Sequence, residues 1–294
     1  MDRCLVAGHV NWDVTLRVDS LPPVDGEATI RDRHCGCGGS AANVAVGLAG
    51  LGVDVDLIGS VGDDECGRDA VATLEGAGVD CTGIRRIPDA TTARKYLVVD
   101  ESGAVSVLGD DGANEAVGPS DVDPALVRQA DHVHLTGNRP ETTEAIASLA
   151  AEAGVSVSYD PGRQLTERSI EAPIDLVDVL FLSSREADAI RATAAGERAF
   201  GERTVVVTDG DDGAVVHAPN ATSHHAGFDV DTTDTSGAGD AFVAGFLTNW
   251  LQAGDVERAL RVGNACGALA TRTVGAQSSL SPQRLDSLLA DCEM

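Results

Sequence analysis

The chain has 294 residues, 43% of them hydrophobic, and a formal net charge of −26 from 47 acidic against 21 basic side chains. That length and apolar content suffice for a full buried core, so a disordered chain is excluded and a single domain over 1–294 is expected. The acidic balance works against nucleic acid or an anionic membrane as a partner. Lysine occurs once, at Lys95, and aromatic residues make up 3% of the chain. Together with the charge, this predicts a halophilic protein whose self-repulsion is screened by salt. No stretch approaches eighteen uninterrupted apolar residues, and the segment from Met1 to Gly8 does not read as a secretion signal, so a cytoplasmic location is expected. The seven cysteines are odd in number and scattered, which fits reduced thiols better than a disulfide framework; Cys35 and Cys37 alone lie close enough to suggest a metal, and nothing pairs with them.

In chain order, an apolar strand at 4–8 comes first, followed by runs at 14–18 and 28–33 that alternate like exposed strands around a Leu21-Pro22-Pro23 turn. A helix starts near Gly39-Ser40, carries Ala42, Val44, Ala45, Leu48, Ala49 and Leu51, and ends at Gly50 and Gly52. A buried strand follows at 53–58. Helical patterns around 67–77, 141–153, 184–194, 239–252 and 255–273 then alternate with β-rich runs at 132–135, 155–159, 177–182 and 204–208. This is an α/β pattern, and it predicts a doubly wound, mostly parallel sheet flanked by helices. The polar strands near 14–18, 28–33, 93–99 and 104–108 do not suit that sheet, so they are expected to form a small β-sheet lid within about 14–35 and 91–109.

The most informative segment is Asp234-Thr235-Ser236-Gly237-Ala238-Gly239-Asp240, which runs straight into the apolar stretch 241–247. It reads as a glycine-rich turn entering a helix. Backbone N–H groups of Gly237, Ala238 and Gly239 face outward there, and the helix N-terminus adds positive partial charge, making a cradle for an anion. A carboxylate at Asp240 would repel a stored phosphate. It makes sense as a base that takes the proton from a nucleophile attacking that phosphate, which points to phosphoryl transfer. A P-loop needs G-x-x-x-x-G-K-[ST] and a protein kinase needs a strand lysine above the phosphates; the sole lysine, in Thr92-Ala93-Arg94-Lys95-Tyr96, matches neither. Gly36 to Ala41 fits a loose G-x-G-x-x-A dinucleotide fingerprint, with Asp54 or Asp56 about twenty residues on, but its strand is polar and 234–240 is left unexplained.

The D-T-x-G-A-G-D run at 234–240 resembles the closing motif of the PfkB/ribokinase family of sugar and nucleoside kinases, and the resemblance extends over nearly the whole chain in the right order. It implies a ribokinase-like fold with a β-sheet lid. Gly38, Gly39 and Asn43 are similar to the family's early motif, and Asn11 with Asp13 to its aspartate after the first strand; these imply contacts to substrate hydroxyls. Ser183-Ser184-Arg185-Glu186 resembles N-x-x-E with its asparagine replaced, so Glu186 alone is implied to act on magnesium, through water. The strand, turn and strand carrying Thr208, Gly210 and Gly213 resemble the segment beside the nucleotide phosphates, and Asn264 falls where the family places a residue near adenine. Gly275 to Ser279 resembles a loop that, with Asp234 and the carbonyl of Ser236, encloses a monovalent cation such as K+; Gly275 and Ser279 are its candidate contributors.

The resemblance therefore implies an ATP-dependent kinase with Mg2+ that phosphorylates a hydroxyl of a small-molecule sugar, Asp240 acting as base. Asp111-Gly112-Ala113-Asn114 is similar to a ribokinase segment, whereas Tyr159-Asp160-Pro161-Gly162-Arg163 is similar to the D-x-N-x-R of some hexose and ketodeoxysugar kinases. A nucleoside kinase of the same family is the alternative, and a non-catalytic sugar or nucleotide sensor a more distant one. Exposed edges of the lid strands are expected to pair two copies into a homodimer.

Overall fold

The computed structural model describes residues 3–102, 105–162, 165, 171–273, 275–277 and 279–291. Arg163, Ser278 and Cys292 lie outside them. The chain starts with β1 (Arg3–Ala7), where apolar residues alternate between two faces: Cys4 and Val6 join one core, Leu5 and Ala7 the other. Strands β4 (Asp54–Gly62) and β9 (His132–Thr136) flank β1 in parallel register. Beyond β9 come β10 (Ser156–Asp160), β11 (Val179–Ser183) and β12 (Thr204–Thr208), all parallel. On the other edge, β5 (Val79–Asp80) and β6 (Ile84–Ile87) both pair with β4. A hairpin of β13 (Ala214–Ala218) and β14 (Ala221–His225) closes the β12 edge in antiparallel register. The result is a ten-stranded sheet that is parallel except at that hairpin.

Helices cover both faces. On one lie α1 (Ser40–Gly50), α2 (Glu65–Gly76), α8 (Ala238–Ala253) and α9 (Val256–Thr271), with Leu48, Leu74, Phe246 and Leu260 packed against Val6, Leu57, Phe181 and Val206. On the other, α3 (Pro124–Gln129), α4 (Pro140–Ala153) and α5 (Glu171–Ile174) cover Leu135, Val157 and Leu180. Burying one such Leu or Phe contributes about 1.5–3 kcal/mol. The C-terminal α10 (Pro282–Asp291) packs Leu288 into a third cluster with Leu269 of α9.

The helix expected over 184–194 is two helices, α6 (Ser184–Ile190) and α7 (Ala194–Glu202). The side chain of Thr193 caps α7 by accepting from Gly196 N–H, and a Cβ at Gly196 would lie 1.9 Å from the Ile190 carbonyl oxygen, so the chain must break and restart there.

The polar strands form a separate four-stranded sheet. It runs β3 (Ile30–Gly38), β2 (Asn11–Val18), β7 (Arg94–Val99), β8 (Val105–Asp110). β2 starts at Asn11, earlier than the alternation at 14–18 suggests, and β3 runs on to Gly38, directly before α1. The G-x-G-x-x-A segment therefore leaves the small sheet rather than a strand of the large one, which removes the dinucleotide reading. Asp56 is also engaged elsewhere, accepting from Arg3 Nη2 at 2.7 Å.

Candidate active site

The carboxyl-terminal ends of β9, β10, β11 and β12 carry Thr136, Asp160, Ser183 and Thr208 to one rim of the large sheet, where open α/β sheets place their ligands. A pocket there is bounded by those ends, by the starts of α1 and α8, and by Asn11, Asp13, Lys95, Leu97 and Val107 of the small sheet. It collects Asn11, Asp13, Gly39 and Asn43 of the residues expected to bind the acceptor, together with Gly237 and Gly239 of the expected cradle and the expected metal-side residues Glu186 and Ser236. Gly38 lies at the junction of β3 and α1, and a Cβ there would come 2.1 Å from Asp13 Oδ2, so glycine lets that carboxylate lie against the backbone.

Asp240 sits in the first turn of α8 and accepts a hydrogen bond from Asn43 Nδ2 at 2.7 Å. Burial pushes its carboxyl up to about 6, against the lowering effect of hydrogen bonds from Asn43 and Ser40. A carboxylate with that affinity can hold and release a proton near neutral pH, as a general base must. Asp13 is likewise pushed up to about 6, by burial first and by the charge of Asp240, while Lys95 opposes the rise. Asp13 Oδ1 and Asn43 Oδ1 are buried with no hydrogen-bond partner among the described residues. Orphaned acceptors of this kind are costly unless a ligand's donors satisfy them, and a polyhydroxylated molecule supplies such donors.

Gly237 caps α8 with φ 73°, and a Cβ there would meet the Ala276 carbonyl oxygen at 2.1 Å, so only glycine makes this entry. A Cβ at Gly239, in contrast, would find nothing within 4 Å. The expected cradle of three donors is reduced by one: Ala238 N–H donates to the Thr235 carbonyl at 3.3 Å, closing the turn. Among the described residues, no backbone acceptor meets the N–H of Gly237 or Gly239, as is usual for the first N–H groups of a helix. Beyond Gly239 a second pocket opens, lined by Thr208, Gly210, Gly213, Phe228, Asn264 and Ala268 among others, and it shares Thr208 and Gly239 with the first. Gly210 and Gly213 bracket the turn between β12 and β13. Asn264, on α9, anchors its Nδ2 to the Leu260 carbonyl at 3.0 Å.

Asp234 ties two loops together by accepting from Ser236 N–H and Gly275 N–H, each at 2.9 Å. Its burial alone would raise the pKa, but these bonds and Arg17 hold it below the ordinary carboxylate range, so it stays charged. Ser279 does not join this group: it is exposed, and Arg284 binds both its hydroxyl and its carbonyl. Glu186 forms a capping box with Ser183, its Oε2 accepting from Ser183 N at 2.7 Å and Oγ at 2.8 Å. Serine thus replaces the family's asparagine as a helix cap.

Four residues at or beside the site carried no assigned role in the sequence reading. Asn114 donates to Asn11 Oδ1 at 2.7 Å across 103 positions of sequence. Asp160 lies in the pocket with its carboxyl pushed up to about 8 by burial and by the charges of Asp240 and Glu186. His9 lines the same pocket and meets Glu115 Oε1 at 3.1 Å. Lys95, set aside above because it fits no P-loop, also faces the pocket. Of these, Asn114 and Asp160 lay in segments with a recognisable motif, 111–114 and 159–163.

A glycine-capped helix start, a half-buried carboxylate in its first turn and two pockets that share Thr208 and Gly239 fit a phosphotransferase. Residues 1–284 match the description of the pfkB family carbohydrate kinase, and the chain belongs to that family. It is 54% identical over 294 residues to an ATP-dependent ribose-1-phosphate kinase of Halopiger xanaduensis, covering 99% of both chains. It is 26% identical to a nucleoside kinase of Methanothermobacter thermautotrophicus, covering 95% of this chain and 93% of that one. Its structure is similar to that of a ribokinase from Thermotoga maritima, with a TM-score of 0.88 and 24% identity over 99% of this chain and 100% of that one. The protein is a kinase that phosphorylates an alcohol group of a sugar or nucleoside.

Proposed function

We propose that the protein transfers the γ-phosphoryl group of ATP to a free hydroxyl of a sugar phosphate of the ribose 1-phosphate type. The observation that carries the chemistry is Asp240, half-buried, held by Asn43 and next in sequence to Gly239, which the two pockets share. The acceptor hydroxyl gives its proton to Asp240. Asn11, Asp13, Gly38, Gly39 and Asn43 bind the other hydroxyls, the orphaned oxygens of Asp13 and Asn43 accepting from them. The N–H groups of Gly237 and Gly239 stabilise the transferring phosphoryl group, a role worth about 3–4 kcal/mol per well-aimed donor. ATP lies in the second pocket, its phosphates beside Thr208, Gly210 and Gly213 and its adenine near Asn264. The sugar phosphate as acceptor is supported by the full-length similarity to the Halopiger enzyme.

Magnesium bound to ATP suits Glu186, whose Oε2 is committed to Ser183 and whose other oxygen is left for metal-bound water. It would neutralise charge on the phosphates. The charged Asp234 between two loops fits a monovalent cation with the Ser236 carbonyl and the Gly275 loop, without Ser279. We read the chain as one kinase domain in which the small sheet is a lid that excludes water. The exposed Ile30, Val105, Val107 and Leu108 on that sheet suit a homodimer built through it. The net charge of −26 suits a salt-rich cytoplasm.

A coupled ATP-consumption screen in molar KCl tests the reading against ribose 1-phosphate, ribose, fructose, a ketodeoxysugar acid and nucleosides. Ribose 1-phosphate is expected to give the highest kcat/KM. A nucleoside in that place would establish the alternative supported by the Methanothermobacter relative, and silence on every acceptor with binding retained would establish a sensor.

A further inference from the structure

We infer that Lys95 fixes acceptor choice in this enzyme by holding the phosphate that the sugar already carries; the inference rests on the sugar-phosphate reading above. Three carboxyl-bearing side chains line the pocket, Asp13, Asp160 and Glu186, with Asp240 next to its lining residue Gly239 in sequence, and Lys95 is the only lysine or arginine among its described lining residues. A doubly charged acceptor cannot enter such a pocket without a cation to meet it. His9, the other basic group there, is already engaged: its Nε2 is 3.1 Å from Glu115 Oε1, and Arg139 approaches the second oxygen of the same carboxylate at 3.6 Å.

The surroundings of Lys95 are built for an ammonium. On β7 it stands between Asp13 of β2 and Gly109 of β8. A Cβ at 109 would come 2.8 Å from Lys95 Nζ, so the glycine in mid-strand leaves the space that the ammonium fills. Its ion-pair partner is Asp111 Oδ1 at 3.3 Å, on a side chain 84% exposed, a weak pair that a phosphate can displace. The lysine side chain itself is 32% exposed, so it reaches the pocket from the rim with part of its stem covered. Everywhere else the chain uses arginine for positive charge. A compact ammonium with three rotatable donors suits a phosphate in this narrow place, where a planar guanidinium would need the room of Gly109 and more. Lys95 stands opposite Asp13 in the β2–β7 register, and both line the pocket, which puts the acceptor's phosphate and its bound hydroxyls on the same wall of it.

The test compares wild type with Lys95→Met and Lys95→Arg. Steady-state kinetics give kcat/KM for ribose 1-phosphate and for free ribose, and calorimetry gives the affinity of each protein for ribose 1-phosphate and for ATP. Lys95→Met is expected to lower the preference for ribose 1-phosphate over ribose by about 10- to 100-fold, the usual loss on removing a hydrogen bond to a charged group. Its affinity for ribose 1-phosphate should fall by a similar factor with ATP binding retained, and Lys95→Arg should recover part of the preference. Wild type that prefers ribose 1-phosphate, with Lys95→Met keeping both preference and affinity, overturns the role of Lys95 and leaves the proposed reaction standing. Wild type that accepts only uncharged sugars or nucleosides overturns both. If Lys95→Met turns over neither sugar, its calorimetric affinity for ribose 1-phosphate decides: an undiminished value overturns the inference.

Discussion

Replacing Asn43 with Leu removes the amide that donates to Asp240 at 2.7 Å and substitutes an apolar group of similar size. Asp240 then keeps the burial that raises its pKa and loses the first-ranked interaction that lowers it, leaving Ser40 alone to oppose. A hydrogen bond to a charged group contributes about 1.5–3 kcal/mol, and 1.36 kcal/mol corresponds to about one pKa unit. The carboxyl should therefore rise from about 6 to roughly 7–8. Only the deprotonated carboxylate can accept the acceptor's proton, so a raised pKa moves the acid limb of the rate profile to higher pH. The assay is kcat/KM for the acceptor between pH 5 and 9 with saturating ATP. Asp13 titrates in the same range, so the limb belongs to the pair and both proteins must be fitted with the same two-group scheme. A fall in rate equal at every pH, with the limb unmoved, would refute the assignment of Asn43 as the group that keeps Asp240 ionised.

Asp240→Asn keeps the shape of the side chain and removes the base; kcat should drop by about 10²- to 10⁴-fold while ATP affinity from calorimetry is unchanged. Gly239→Val projects into space in which a Cβ has no neighbour within 4 Å. Thermal unfolding should shift little, whereas kcat falls by at least about 10²-fold because the transferring group is displaced; equal damage to both would argue that Gly239 serves folding rather than the cradle. Asp160 carries a folded-state pKa of about 8 against an ordinary 3.8, so its unfolded form ionises first as pH rises and stability declines from about pH 4 to pH 8. Asp160→Asn should remove that decline, raising stability by on the order of 2–4 kcal/mol at pH 7 and almost nothing at pH 4, as read from denaturant melts at the two pH values.

The sequence was most legible where one segment contains a whole device. The glycine turn, the helix start and the carboxylate of 234–240 lie within seven residues, and all three occupy the expected places, except that Ala238 spends its N–H on closing the turn. The alternation of apolar strands with helical stretches gave the large sheet, because burial on both faces imposes continuous apolar runs on parallel strands. The break between α6 and α7 was not legible. It depends on a threonine cap and on how closely Gly196 approaches the Ile190 carbonyl, neither of which disturbs the apolar periodicity.

What the amino-acid sequence pointed to by itself is the reaction: a glycine-rich helix start and a carboxylate in its first turn are local chemistry, encoded in adjacent residues. The tertiary structure decided which distant groups complete it. Asn43 meets Asp240 across 197 positions and Asn114 meets Asn11 across 103, contacts that no local pattern announces. Asp160 stood in a segment similar to a known motif but had no role until the fold set it in the pocket near two other acids, and Lys95 looked like a motif that failed until the small sheet turned it toward the pocket. Proton affinity and charge balance depend on burial and on neighbours, and only the folded chain supplies either.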